Sequence, residues 1–305
     1  MRSQLYGIKL ILAATLCFSL MGLGVKVLRG SLSPTSVVCL RFTVQSLLLL
    51  PWFIHLKWKG KRFQLPFKYH LFRGMLGTST MLLFYSALHY LPLGLANLLA
   101  MTSMFWASVF AYFVFQEQLN LSQMVCGLVI FVGIGFSISG GETANWSLNW
   151  MGVSLGLAGG LSLGLGRTVL KKMRSYECTS QEIVFAFGLL GALFTLVPTI
   201  RAGVLPSRWE TWLTLFAVGA LGTCAQLLFS SGFKYTKVFV ASVCQLNGTF
   251  LTLILGFIVL NEVPPLAFFL GMALVVAGIL VLVRVSSTSG KFSKPEALPR
   301  PVSDS

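Results

Sequence analysis

Apolar residues along this chain come in long unbroken runs, not in the alternation of a half-buried strand or the narrow stripe of a surface helix. Ten runs can be marked, at about 6–28, 35–55, 70–90, 93–115, 121–140, 150–171, 180–200, 211–233, 237–259 and 264–285. A helix needs about 20 residues to cross the hydrocarbon of a bilayer, and each run is close to that length. Polar residues gather in the short gaps, so almost the whole chain is expected in or near the membrane. The pattern predicts an all-α integral membrane protein with ten transmembrane helices. The first run leads straight into the second and lacks a small-residue cleavage pattern, so it reads as a retained span and not a signal peptide.

The chain also nearly repeats itself at an offset of 145 residues. Leu76 to Tyr90 reads LGTSTMLLFYSALHY, and Leu221 to Tyr235 reads LGTCAQLLFSSGFKY, with eight of fifteen positions identical. The same offset aligns Glu117 with Glu262, Gly133 with Gly278 and Lys26 with Lys171. Two related halves in a membrane chain are a transporter signature, because they can rock about a site between them.

Composition supports the membrane assignment, and charge refines it. A mean hydropathy of +0.82, with 55% hydrophobic and 10% charged residues, excludes an ordinary soluble domain. The net charge of +15 suggests nucleic acid until its placement is read. With the amino terminus in the cytoplasm, 17 of the 23 basic residues fall in inner segments. The outer side holds Lys26, Arg29, Arg201 and Arg208, and Arg41 and Arg167 lie within helices. This asymmetry puts both termini in the cytoplasm and the chain in the cytoplasmic (inner) membrane. Five helices per half is an odd number, so the second half enters from the opposite side and the two five-helix repeats are inverted. The expected units are residues 6–140, residues 150–285, and a tail over 286–305. That tail is rich in Ser, Pro and Lys and is expected to be disordered and cytoplasmic.

The run PLGLANLLAMTSMFWASVFAYFVFQEQLNLSQ and its counterpart KVFVASVCQLNGTFLTLILGFIVLNEVPPLA each end a long helix in bulky residues followed by Glu. LRFTVQSLLLLP in the second helix carries Arg41. With these features the chain resembles the drug/metabolite transporter superfamily, EamA type, over about residues 6–285. HLFRGMLG (His70 to Gly77) is similar to a sub-branch containing S-adenosylmethionine importers. The resemblance implies a ten-helix secondary transporter for small metabolites.

Several polar residues fall inside the runs. Arg41 lies about 9 Å inside the outer end of the second helix, with Gln45 one turn on. A charge at that depth normally faces the protein interior or a wet cavity. Gln245 and Asn247 come close to the midplane, where inverted-repeat transporters bind substrate. Asn97 with Trp106 nearby, Tyr85 in the third helix and Gln226 in the eighth complete a mixed polar and aromatic candidate cavity. Glu117 and Glu262 sit in the turns before the fifth and tenth helices. There a carboxylate meets the positive end of a helix dipole, which suggests a structural or gating role. Gly152, Gly156, Gly160 and Gly164 form a small-residue ridge for close helix packing.

No catalytic constellation or metal-ligand spacing is found along the chain, and no cofactor is expected. The reading is a secondary transporter, not an enzyme. It moves a neutral, zwitterionic or anionic metabolite, such as an amino acid or nucleoside-like compound, by alternating access. S-adenosylmethionine uptake is the alternative, and an integral-membrane enzyme the remote one. The expected partners are a small-molecule substrate and the lipid bilayer, with no nucleic acid and with a homodimer left open.

Overall fold

A computed structural model describes residues 2–59, 67–115, 121–139, 146–174, 178–202, 206, 208–235 and 238–289. Apart from short connections, the described residues form helices. In a bilayer, a helix satisfies its own backbone polar groups, which lipid cannot do. Eleven α-helices account for the ten crossings: α1 (Arg2–Val27), α2 (Pro34–Trp58), α3 (Phe67–Tyr90), α4 (Leu93–Ala100), α5 (Ser103–Phe115), α6 (Leu121–Ser139), α7 (Trp150–Arg174), α8 (Ser180–Ala202), α9 (Trp209–Tyr235), α10 (Val238–Leu260) and α11 (Leu266–Ser289). Seven spans are long and apolar enough to cross a membrane, and the apolar parts of α10 and α11 are shorter. Tail residues 290–305 lie outside the described residues.

Local signals set the helix ends. Ser33 caps α2 by accepting a hydrogen bond from the Ser36 amide at 3.2 Å, and Pro34 opens the first turn. After α10, Asn261 takes the left-handed conformation (φ 53°), which Asn tolerates better than most residues. That turn lets the Glu262 amide donate back to the Gly256 carbonyl at 3.1 Å.

The fourth crossing departs from the single helix expected over 93–115. It is broken at Met101–Thr102 into α4 and α5. The Thr102 hydroxyl donates to the Leu99 carbonyl at 2.7 Å and so competes for a backbone acceptor. The glycine ridge of α7 docks there. A Cβ on Gly156 would lie 2.7 Å from Leu99, and one on Gly164 would lie 2.6 Å from Trp106. The equivalent helix of the second repeat, α10, runs unbroken.

The two repeats interleave. The most extensive packing pairs α1 with α9, α3 with α7, α2 with α8 and α6 with α11. Each pair joins the first repeat to the second. Exchanging the repeats turns the first pair into the second and leaves the other two in place, as inverted repeats about a pseudo-two-fold axis require. Below, the near end of the bundle is the one where α1 begins, and the far end is where it finishes.

Candidate substrate-binding cavity

Between the repeats lies a cavity of about 210 Å³. Its walls come from α1, α3, α4, α7, α8, α9 and α10. Much of the lining is apolar, with Phe18, Met81, Phe84, Met101, Phe187 and Phe229 among its residues. Set into it are a few polar groups. Asn97 in α4 donates to the hydroxyls of Thr249 and Thr252, at 3.4 and 3.2 Å. Ser19 of α1 donates to the Gly248 carbonyl at 3.3 Å. Both contacts tie α10 to the first repeat.

The charged groups of this lining are two arginines, Arg73 of α3 and Arg167 of α7, both partly buried. Arg167 Nη2 donates to Gln245 Oε1 at 2.7 Å. The Arg73 guanidinium carbon sits 4.7 Å from the centre of the Phe187 ring. Among the described residues, no Asp or Glu lines the cavity. The described lining thus combines an apolar wall with two arginines and no acidic side chain.

The far end of the cavity stops at Leu93, the first residue of α4. Glu262 holds it there. One carboxylate oxygen accepts the Leu93 amide at 2.8 Å, and the other lies 3.6 Å from Lys26 Nζ. Lys26 also donates to the Leu91 carbonyl. Sequence reasoning expected Glu262 to serve the helix that follows it, α11. The Asn261 turn instead folds the carboxylate back over Gly256, where it caps α4 of the other repeat. Burial pushes the Glu262 carboxyl above its ordinary range, against the pull of Lys26 and the Leu93 amide. Glu117, its counterpart in the first repeat, lies outside the described residues.

At the near end, a second buried contact joins the repeats. His70 Nε2 and Glu182 Oε1 are 3.1 Å apart, and the Cys178 thiol donates to the same oxygen at 3.8 Å. These three could together hold a metal ion, since their ligand atoms all lie within 4.8 Å of one another. Reading along the chain misses the cluster because His70 and Glu182 are 112 residues apart.

Of the residues singled out from the sequence, Asn97, Gln226 and Gln245 line the cavity. Arg41, Gln45, Tyr85, Trp106 and Asn247 are not in its lining. Gln45 donates to the Val184 carbonyl at 2.7 Å and ties α2 to α8. Trp106 packs edge-on with Phe105 and Phe131. Asn247 is exposed on the outer face of α10. Two residues turn a helix by about 200°, so Gln245 and Asn247 cannot face one cavity together. Tyr85 and Arg41 are buried side by side, with the guanidinium carbon 6.0 Å from the ring centre. Sequence reasoning passed over Arg167 as a binding group, although a charge inside a span is by itself a functional signal.

The EamA-like transporter family matches this chain twice, over residues 5–139 and 150–284. The chain belongs to that family. A transporter of Helicobacter pylori, itself uncharacterized, is 25% identical to this EamA protein over 284 residues, covering 91% of this chain and 94% of the relative. The pseudopaline exporter CntI of Pseudomonas aeruginosa is 23% identical, covering 91% and 96%. A riboflavin transporter of Vibrio cholerae is 24% identical, covering 81% and 82%. A solved crystal structure shares the fold with a TM-score of 0.60 at 19% identity, covering 94% of this chain and 98% of that one. The general role of this EamA protein is therefore that of a multi-pass membrane transporter.

Proposed function

We propose that this protein is a secondary transporter of small organic metabolites bearing an anionic group, working by alternating access in the cytoplasmic membrane. One observation carries the substrate class: the cavity between the repeats presents Arg73 and Arg167 and, among the described residues, no carboxylate in its lining. Arg167, held by Gln245, would take the anionic group as a fixed fork. Asn97 and Gln226 would orient the rest of the molecule, and Glu262 would brace the far gate. Two resident cations favour an anion or a zwitterion over the sulfonium of S-adenosylmethionine. The basic residues concentrated on the near side support a cytoplasmic position for that end.

A metabolite mass balance tests this reading. Cells expressing the protein are compared with empty-vector cells and with Arg167→Gln at equal membrane abundance. The expected outcome is a shift in one or a few anionic metabolites that disappears with Arg167→Gln. A shift confined to cations would overturn the substrate class. Orientation is checked by an impermeant thiol reagent on intact cells, with Cys placed at exposed Lys59 (near end) or Trp150 (far end). Labelling of position 150 alone is expected.

A further inference from the structure

The offset of 145 residues that pairs Gly77 with Gly222 also pairs Phe42 with Phe187. The two phenylalanine rings meet edge to face, 4.8 Å between centres, so this contact straddles the pseudo-two-fold axis. Each ring carries a guanidinium. Arg73 lies 4.7 Å from the centre of the Phe187 ring, and Arg41 lies 5.0 Å from that of Phe42. Each guanidinium also occupies the space left open by one of the paired glycines. A Cβ on Gly77 would collide with Arg73 Nη1. A Cβ on Gly222 would come within 2.7 and 2.9 Å of Arg41 Nε and Nη2.

The two arginines are therefore related by the axis in position, although not in sequence. Arg41 comes from α2 and Arg73 from α3, and the residues 145 positions beyond them are Ala186 and Val218. Their surroundings differ in exposure, although Arg73 Nε is also buried without a hydrogen-bond partner among the described residues. Arg73 is half-buried in the wall of the cavity. Arg41 is fully buried outside it, and among the described residues none of its three guanidinium nitrogens has a hydrogen-bond partner. A buried guanidinium is costly unless its donors are met, so this seat calls for an acceptor.

We infer that Arg41 and Arg73 are alternate contacts for one substrate oxyanion, a carboxylate or a phosphate on a compact apolar body. Arg73 serves the state seen here, with the far end held by Glu262. Arg41 serves the opposite state, in which the far end opens and Arg73 becomes the sealed one. Inverted repeats exchange their surroundings between the two states, and such an exchange carries Arg41 into the environment Arg73 now has. The planar fork fits either oxyanion, and the phenylalanine beneath each arginine offers an aromatic face to the bound molecule. This inference rests on the anion-transport reading above and adds the second site to it.

Side-specific chemical modification tests both parts. The full chain is reconstituted in sealed vesicles and treated with a water-soluble, arginine-directed dicarbonyl added to one side, and modification of Arg41 and Arg73 is read by mass spectrometry. Near-side reagent should modify Arg73 and spare Arg41. Glu262→Gln, which weakens the far-end lock, should raise far-side modification of Arg41 several-fold and lower near-side modification of Arg73. Both rising together would show general loosening, and Arg41 staying inert would show a structural charge. Either result overturns the paired-site inference and leaves the transport reading intact. Phthalate and phenyl phosphate are then added as probes, with phenyltrimethylammonium as the cationic control. Protection of both arginines by phthalate alone identifies the group as a carboxylate, and protection by phenyl phosphate alone identifies it as a phosphate. Protection by the cation, or by none of the three, overturns the anion reading itself.

Discussion

The near and far halves of this molecule are built to one plan and hold different charges in different ways. In the near half, Arg73 lies on Phe187 beside Gly77 and looks into the cavity. In the far half, Arg41 lies on Phe42 beside Gly222 and is not in that cavity's lining. The ends differ as well. Glu262 bridges Lys26 and the first amide of α4, and so fixes the helix that closes the cavity. The near-end contact of His70 with Glu182 joins side chains of α3 and α8. On the alternating-access reading proposed above, this asymmetry would correspond to one of the two carrier states. A buried cation without an acceptor is costly, by several kcal/mol before compensation, and its cation–π contact recovers only about 2 kcal/mol.

The largest effect should come from breaking the far-end lock. Glu262→Ala leaves Lys26 buried without its carboxylate and the Leu93 amide without its acceptor. A loss of about 3–5 kcal/mol is expected, since removing one partner strands the other. It would be read as a lower melting temperature in detergent, with much of it restored in Glu262→Ala/Lys26→Met. An unchanged melting temperature would mean that packing alone closes the far end and that the contrast between the ends is not electrostatic.

Next comes the scaffold on which both halves depend. Gly160→Ala would drive a Cβ against Thr102 Oγ1 and to 2.9 Å from the Leu99 carbonyl, which cannot swing aside as a side-chain tip can. A cost of about 1–3 kcal/mol is expected. Gly135 has open space around it, and Gly135→Ala should be neutral or stabilise by about 0.5–1 kcal/mol. Equal effects at the two positions would remove the docked ridge as the basis of the broken fourth crossing.

A matched pair of variants compares the arginine seats directly. Gly77→Ala displaces Arg73 Nη1 and presses on the Phe187 ring, whose Cζ is 2.9 Å away. It should weaken anion binding from the near side by roughly tenfold, or about 1.4 kcal/mol, and far-side binding by less. Gly222→Ala should show the reverse preference. Equal losses on both sides would dissolve the distinction between the seats.

The smallest expected signal is in pH. Burial holds the Glu262 carboxyl above its ordinary range, so the folded protein binds this proton more readily than the unfolded chain. Its contribution to stability is therefore greatest at or below the ordinary carboxylate range and declines as pH rises through the raised value. The melting temperature of the wild type minus that of Glu262→Gln should fall over that window and then level off. A rising difference would show that Lys26 outweighs burial.

The crossings were legible because apolar runs of bilayer length have one outcome in lipid, and the inverted repeats followed from the offset and the odd helix count. The break at Met101–Thr102 was not, because no Gly or Pro marks it; it depends on a hydroxyl bond to Leu99 and on a ridge contributed by α7. Depth was readable for Arg41, but facing was not. Its seat at Gly222 belongs to the other repeat, and no local pattern shows which distant residue leaves it room. Gln245 and Asn247 show the same limit within a single helix. Both are at a suitable depth, and helical phase alone puts one on the cavity and the other on the outer face.

The crossed arginine seats bear on the history of the chain. Suppose two separate copies of the first five-helix unit paired about the same axis. The Arg41 of each copy would then reach the Gly77 of the other, where that copy's own Arg73 already sits. Two like charges would crowd each glycine, and the ring beside it could not separate them. With both units in one polypeptide, Ala186 and Val218 occupy the second unit's two positions, and each seat holds one guanidinium. Such a charge pattern is open to a fused gene, whose halves mutate separately, and closed to a homodimer, in which every substitution is made twice.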